Sequence, residues 1–83
     1  MEIRYTNSAR KAIRKLPAHK QESVLTGMKL VAQDPYAPDN NRTPLTGISG
    51  GFRRRFGDLR VSYLVLTDGI EVFEVKWRGE AYR

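Results

Sequence analysis

The chain contains no cysteine, which excludes disulfides and thiolate-held metals. Its single histidine, His19, follows Pro17 with no His or Cys companion nearby. It therefore reads as a surface residue in a turn between helices rather than a metal ligand or catalytic base. No apolar run approaches the ~18 residues of a membrane span, and the N-terminus lacks the apolar stretch of a signal peptide. A soluble, cytoplasmic protein is the default expectation. No repeat or low-complexity segment is visible. Acidic residues are scarce: 9 Asp and Glu stand against 15 Lys and Arg, giving a net charge of +6 and a pI near 10.1. That balance favours a polyanionic partner such as nucleic acid, although many small basic proteins are merely soluble.

What is present suits one small folded domain, residues 1–83, with a modest core. Residues Glu2 to Thr6 alternate and read as a short strand, and Asn7 or Ser8 can cap the helix that follows. Ala9, Ala12, Ile13 and Leu16 recur at helical spacing, opposite a basic strip of Arg10, Lys11, Arg14 and Lys15. The strip reads as a solvated face, with nucleic-acid or partner-protein binding as alternatives. Pro17 ends this helix, and a second runs from about Ala18 to Gln33 with Val24, Leu25, Met28, Val31 and Ala32 as its apolar stripe. Gly27 inside it costs about 1 kcal/mol relative to alanine. The two helices form an antiparallel hairpin with one apolar side. From Asp34 to Gly51 the composition turns to Pro, Asn, Asp, Thr and Gly, which reads as a long surface loop.

The remainder is β-prone. Gly57-Asp58 and Asp68-Gly69 punctuate three runs, and such dipeptides are strong hairpin signals. With a two-residue loop at Gly57-Asp58, Phe56 faces Leu59, Arg55 faces Arg60 and Arg53 faces Ser62. Like charges placed opposite each other destabilise a hairpin, so arginines gathered this way point to an anionic partner. On this register Phe52, Phe56, Leu59, Val61, Tyr63, Val65, Ile70 and Val72 share the face for the helices to cover. Arg54 points to that side too. The other face carries Arg53, Arg55, Arg60 and Ser62 beside Leu64, Phe73, Val75 and Trp77. Arg78 falls on the core side unless the strand ends near Trp77 or a bulge turns it outward.

Arginine forks hold phosphates bidentately and aromatics stack on bases. Arg53, Arg55, Arg60 and Arg78 with Trp77 or Tyr82 therefore suit an RNA backbone with an unstacked nucleotide. Chemistry there needs no metal, because a ribose 2′-OH can attack the adjacent phosphate once aligned and charge-stabilised. Arginine does not readily give up its proton, so no general base is visible. Binding without catalysis explains the cluster equally well.

The α+β order of strand, two-helix hairpin, Pro/Asn loop and three-stranded antiparallel meander resembles the RelE/ParE superfamily of toxins from bacterial type II toxin–antitoxin pairs. So do Pro44-Leu-Thr-Gly47, Phe52-Arg-Arg-Arg-Phe-Gly-Asp-Leu-Arg-Val-Ser-Tyr63 and Val75-Lys-Trp-Arg-Gly-Glu-Ala-Tyr-Arg83. The resemblance spans essentially the whole chain and favours the RelE-like branch. It implies an mRNA endonuclease (interferase) that enters the ribosomal A site, cuts by metal-free 2′-OH attack and leaves a cyclic phosphate. It implies no cofactor, and it implies a cognate antitoxin that covers or distorts the site. Position by position, it makes Arg53 and Arg55 phosphate contacts, Arg60 a stabiliser of the scissile phosphate and Arg78 a stabiliser or protonator of the leaving group. Tyr82 stacks on or orients the substrate.

Three departures stand out. Arg53 and Arg55 occupy positions where ribosome-dependent relatives have lysines, and Trp77 stands where many have histidine. The chain also stops at Arg83, which leaves at most a very short C-terminal helix. The alternatives are a ParE-like inhibitor of DNA gyrase acting by protein binding, and a catalytically inert RNA-binding protein.

Overall fold

The computed structural model describes residues 1–81; Tyr82, assigned to substrate by the resemblance, lies outside the described residues. In chain order the elements are β1 (Glu2–Tyr5), α1 (Asn7–Arg14), α2 (Ala18–Gln33), β2 (Arg42–Pro44), β3 (Gly51–Phe56), β4 (Leu59–Leu66), β5 (Gly69–Trp77) and α3 (Arg78–Ala81). The strands form one mixed sheet in the order β1-β5-β4-β3-β2. β1 runs parallel to β5 at its edge, and the other neighbours are antiparallel.

Local chemistry explains the boundaries. The residue that caps α1 is Thr6, one position before the expected Asn7 or Ser8: its hydroxyl accepts from the Ala9 N–H at 3.2 Å. A β-region backbone at the cap is what allows that bond. At the other end, the Gln21 amide donates to the carbonyls of Leu16 and Arg14 at 2.9 and 3.3 Å. The Arg14 carbonyl is one a helix terminus leaves without a partner, and Leu16 lies in the turn just after it. Within the long loop, Arg42–Pro44 forms the short edge strand β2 that periodicity did not reveal. Three residues ending in proline carry little period-two signal, and their pairing with β3 is tertiary.

Both helices cover one face of the sheet. Ala9 and Ile13 of α1, Leu16 just after it, and Val24, Met28 and Ala32 of α2 pack with Leu59, Val61, Tyr63, Ile70, Val72 and Val75. Leu25, expected in the apolar stripe, is 39% exposed. Gly27 is required by close approach: a Cβ there would lie 2.1 Å from Cε1 of Phe56. The helix-propensity cost noted from sequence thus makes room for an aromatic ring. Among the described residues, no helix is long and apolar enough to cross a membrane.

The β3–β4 hairpin has the expected register, with Phe56 opposite Leu59, Arg55 opposite Arg60 and Arg53 opposite Ser62. Gly57 takes a positive φ of 60° in the turn, which glycine accepts without steric cost. β5 departs from expectation. The turn before it is Thr67-Asp68, since Leu66 pairs with Gly69. A register shift opposite Ser62/Tyr63 then leaves Phe73 as an extra residue between Val72, which pairs with Tyr63, and Glu74, which pairs with Ser62. One extra residue reverses every later side chain. Val75 and Trp77, expected on the open face, instead pair with Val61 and Leu59 on the helix-covered side. Glu74 and Lys76 take their places among the arginines.

Candidate nucleic-acid interface

The open face is built from two transverse rows. The first runs Arg55–Arg60–Lys76 across β3, β4 and β5, and the second runs Arg53–Ser62–Glu74. Thr43 of β2 extends the second row beside Arg53. A groove of about 280 Å³ follows the β2–β3 side, with Asn41, Thr43, Arg53, Arg55 and Arg60 in its walls.

The guanidinium groups of the first row are held by neutral acceptors. Arg55 Nη2 donates to Asn41 Oδ1 at 3.1 Å. Arg60 Nη1 donates to the carbonyls of Gly57 and Leu59 at 2.9 and 3.0 Å. Among the described residues no carboxylate pairs with Arg53, Arg55 or Arg60. Arg53 Nε is buried with no hydrogen-bond partner among those residues, and an unmade bond of this kind costs about 1–3 kcal/mol. Lys76 pairs with Glu74 at 3.4 Å.

Three other arginines, Arg54, Arg42 and Arg4, are committed to structure. Arg54, on the helix-covered side as expected, pairs with Asp39 at 2.8 Å and lies 4.4 Å over the Phe56 ring. The Asn41 backbone N–H and the Arg54 guanidinium hold the Asp39 carboxyl below its ordinary range. That clasp ties the 34–41 loop to β3, and the same loop carries the Asn41 amide to Arg55. Arg42 lies 5.1 Å over the Phe52 ring and donates to the Pro35 carbonyl. Arg4 grips Asp68 at 3.3 Å.

The structure therefore brings Arg53, Arg55 and Arg60 together and adds Lys76 and Glu74, which sequence reasoning missed. Only the bulge at Phe73 puts them there, and no local pattern announces it. Arg78 opens α3, with its N–H bonded to the Asp58 carbonyl at 2.7 Å. That contact sets its backbone against the turn whose Gly57 carbonyl holds Arg60. Trp77 is not part of this face. It lines a hollow of about 390 Å³ beside α1 and β5, with Lys11, Ala12, Lys15, Leu16, Leu59 and Lys76.

No protein-family model matches the sequence, and no curated protein matches it either. Solved structures do resemble it. The archaeal RelE–RelB complex from Pyrococcus horikoshii OT3 matches with a TM-score of 0.79 at 24% identity, covering 94% of each chain. The intact E. coli RelBE toxin–antitoxin complex matches at 0.76 and 20% identity, over 90% of this chain and 93% of that one. The isolated E. coli RelE toxin matches at 0.76 and 22% identity, over 96% and 88%. The strand, helix pair and mixed sheet of this chain are thus arranged in the fold of the RelE toxins.

Proposed function

We propose that this protein is the toxin of a toxin–antitoxin pair and an mRNA endonuclease acting in the ribosomal A site. The observation that carries the reading is the Arg55–Arg60–Lys76 row with Arg53 beside it. These are cations of three adjacent strands on the face the helices leave open, and among the described residues the three arginines have no carboxylate partner. A phosphodiester laid across that row meets bidentate donors from two strands. Arg60 stabilises charge growing on the scissile phosphate, and Arg53 and Arg55 hold the flanking phosphates. Arg78, brought to the Asp58 carbonyl, serves the leaving-group side. Attack by the neighbouring ribose 2′-OH supplies the nucleophile, so no metal or cofactor is called for. A cognate antitoxin is the protein partner, as RelB is for the RelE chains of similar fold.

The test is cleavage of a defined mRNA on programmed ribosomes, mapping the cut and its 3′ end, with Arg60→Ala and ribosome-free RNA as controls. An A-site cut ending in a cyclic phosphate, lost in Arg60→Ala, is the expected result. Absence of any cut by folded protein that still poisons cells would overturn it in favour of protein binding, as in gyrase inhibition.

A further inference from the structure

We propose that Glu74 is the general base of this site and that Lys76 is its proton-donating partner. The inference rests on the RNA-cleaving reading and supplies the proton acceptor that arginines cannot provide.

Glu74 is a carboxylate inside a block of cations meant for an anion. In a site that only binds, its charge repels the phosphate and weakens affinity. It is also not an arginine counter-ion: Arg55 and Arg60 bond to neutral oxygens, and Glu74 contacts Ser62 and Lys76 instead. Ser62 is 1% exposed, and its hydroxyl donates to Glu74 Oε1 at 3.5 Å, while Lys76 Nζ lies 3.4 Å from Oε2. Both oxygens thus have a partner on the sheet, and the group stays on the open face diagonal to Arg60. The bulge at Phe73 is what puts it there, and bulges often re-aim a side chain beside a reacting centre.

The chemistry closes without another reactant. The 2′-O–H proton passes to the Glu74 carboxylate as the O2′–P bond forms. The P–O5′ bond breaks with its electron pair going to O5′, which takes a proton from the Lys76 ammonium. The products are a 2′,3′-cyclic phosphate and a 5′-hydroxyl. The Lys76 amine then recovers its proton from the Glu74 carboxyl across their contact.

The experiment is single-turnover cleavage on programmed ribosomes by wild type, Glu74→Gln, Glu74→Asp and Glu22→Gln over a range of pH. Binding is measured in parallel to mRNA carrying a 2′-deoxy residue at the cut. Glu74→Gln should slow cleavage by about 10²–10⁴-fold, the usual worth of a general base, while binding the deoxy message as tightly as wild type or more tightly. The acidic limb of the wild-type rate profile should vanish in it. Glu74→Asp should recover part of the rate and the limb, and Glu22→Gln, an exposed carboxylate of α2, should behave as wild type. Wild-type rates and an unchanged pH profile in Glu74→Gln would overturn the assignment while leaving the nuclease reading intact. A wild-type protein that never cuts would overturn both.

Discussion

Arg55 and Arg60 stand directly opposite one another across the β3–β4 ladder, two like charges at a position where a pair of this kind weakens a hairpin. The conflict is eased rather than removed. Arg55 turns to the Asn41 amide and Arg60 to the carbonyls of the turn. Replacing either arginine should therefore leave stability unchanged or slightly raised. Arg60→Ala should nonetheless lower cleavage by about 10²–10³-fold, the cost of losing one transition-state donor. Paired urea denaturation and single-turnover rates check this, and a large loss of stability would contradict it.

RNA affinity should follow the cations of the open face. Three phosphates neutralised by Arg53, Arg55 and Arg60 predict a slope of log K against log salt of about −2, at about −0.7 per phosphate for a single strand. Arg55→Ala should flatten it by about 0.7. Titration of a short non-cleavable RNA at several salt concentrations measures both, and an unchanged slope would remove Arg55 from the interface.

Trp77 ends β5 on the helix-covered side, at the rim of the hollow beside α1. Trp77→Ala should cost about 1–2 kcal/mol of stability, less than the ~3–5 typical of a fully buried aromatic, because the side chain is partly exposed. RNA affinity per folded molecule should stay the same. A selective loss of RNA binding with stability intact would return Trp77 to the substrate face.

Gly27→Ala should destabilise, although alanine is the better helix former by about 1 kcal/mol. The new Cβ overlaps the Phe56 ring, and that ring carries the Arg54 guanidinium on its face. Overpacking of this kind costs about 1–3 kcal/mol. Trimming the ring in Gly27→Ala/Phe56→Leu should make the double variant less damaged than the sum of the singles. Additive losses would show that the two residues do not touch.

Asp39 ties the 34–41 loop to Arg54. Its folded pKa is lowered, so its contribution is present above its unfolded value of about 3.9 and is lost as pH falls from there through the folded value. Asp39→Asn should cost roughly 0.5–1 kcal/mol near neutrality, and the difference from wild type should fade below about pH 4. Urea midpoints measured across the acid range decide it. A difference that persists at low pH would assign the effect to something other than this carboxylate's charge.

Much of the architecture is local in origin. Helical spacing of Ala9, Ile13 and Leu16, and of Val24, Met28 and Ala32, marks the buried faces of α1 and α2. The glycine turn at Gly57 sets the β3–β4 register, and with it the convergence of Arg53, Arg55 and Arg60. Those outcomes needed no knowledge of distant residues, because a side-chain period of two or 3.6 and a two-residue turn are properties of neighbouring chain.

The rest was decided by contacts between segments far apart in the chain. Parallel pairing of β1 with β5 and the brief pairing of β2 with β3 leave no period in the sequence, since each depends on a partner strand elsewhere. The extra residue at Phe73 moved Trp77 from the open face to the helices and exchanged it for Glu74 and Lys76. From sequence, β5 reads equally well with or without that bulge, because Val72, Phe73 and Val75 offer apolar side chains in either phase. Packing against β4 and α1 chose the phase that buries Val75. The arginines were written into the sequence, but the carboxylate and ammonium that complete their face were placed there by the fold.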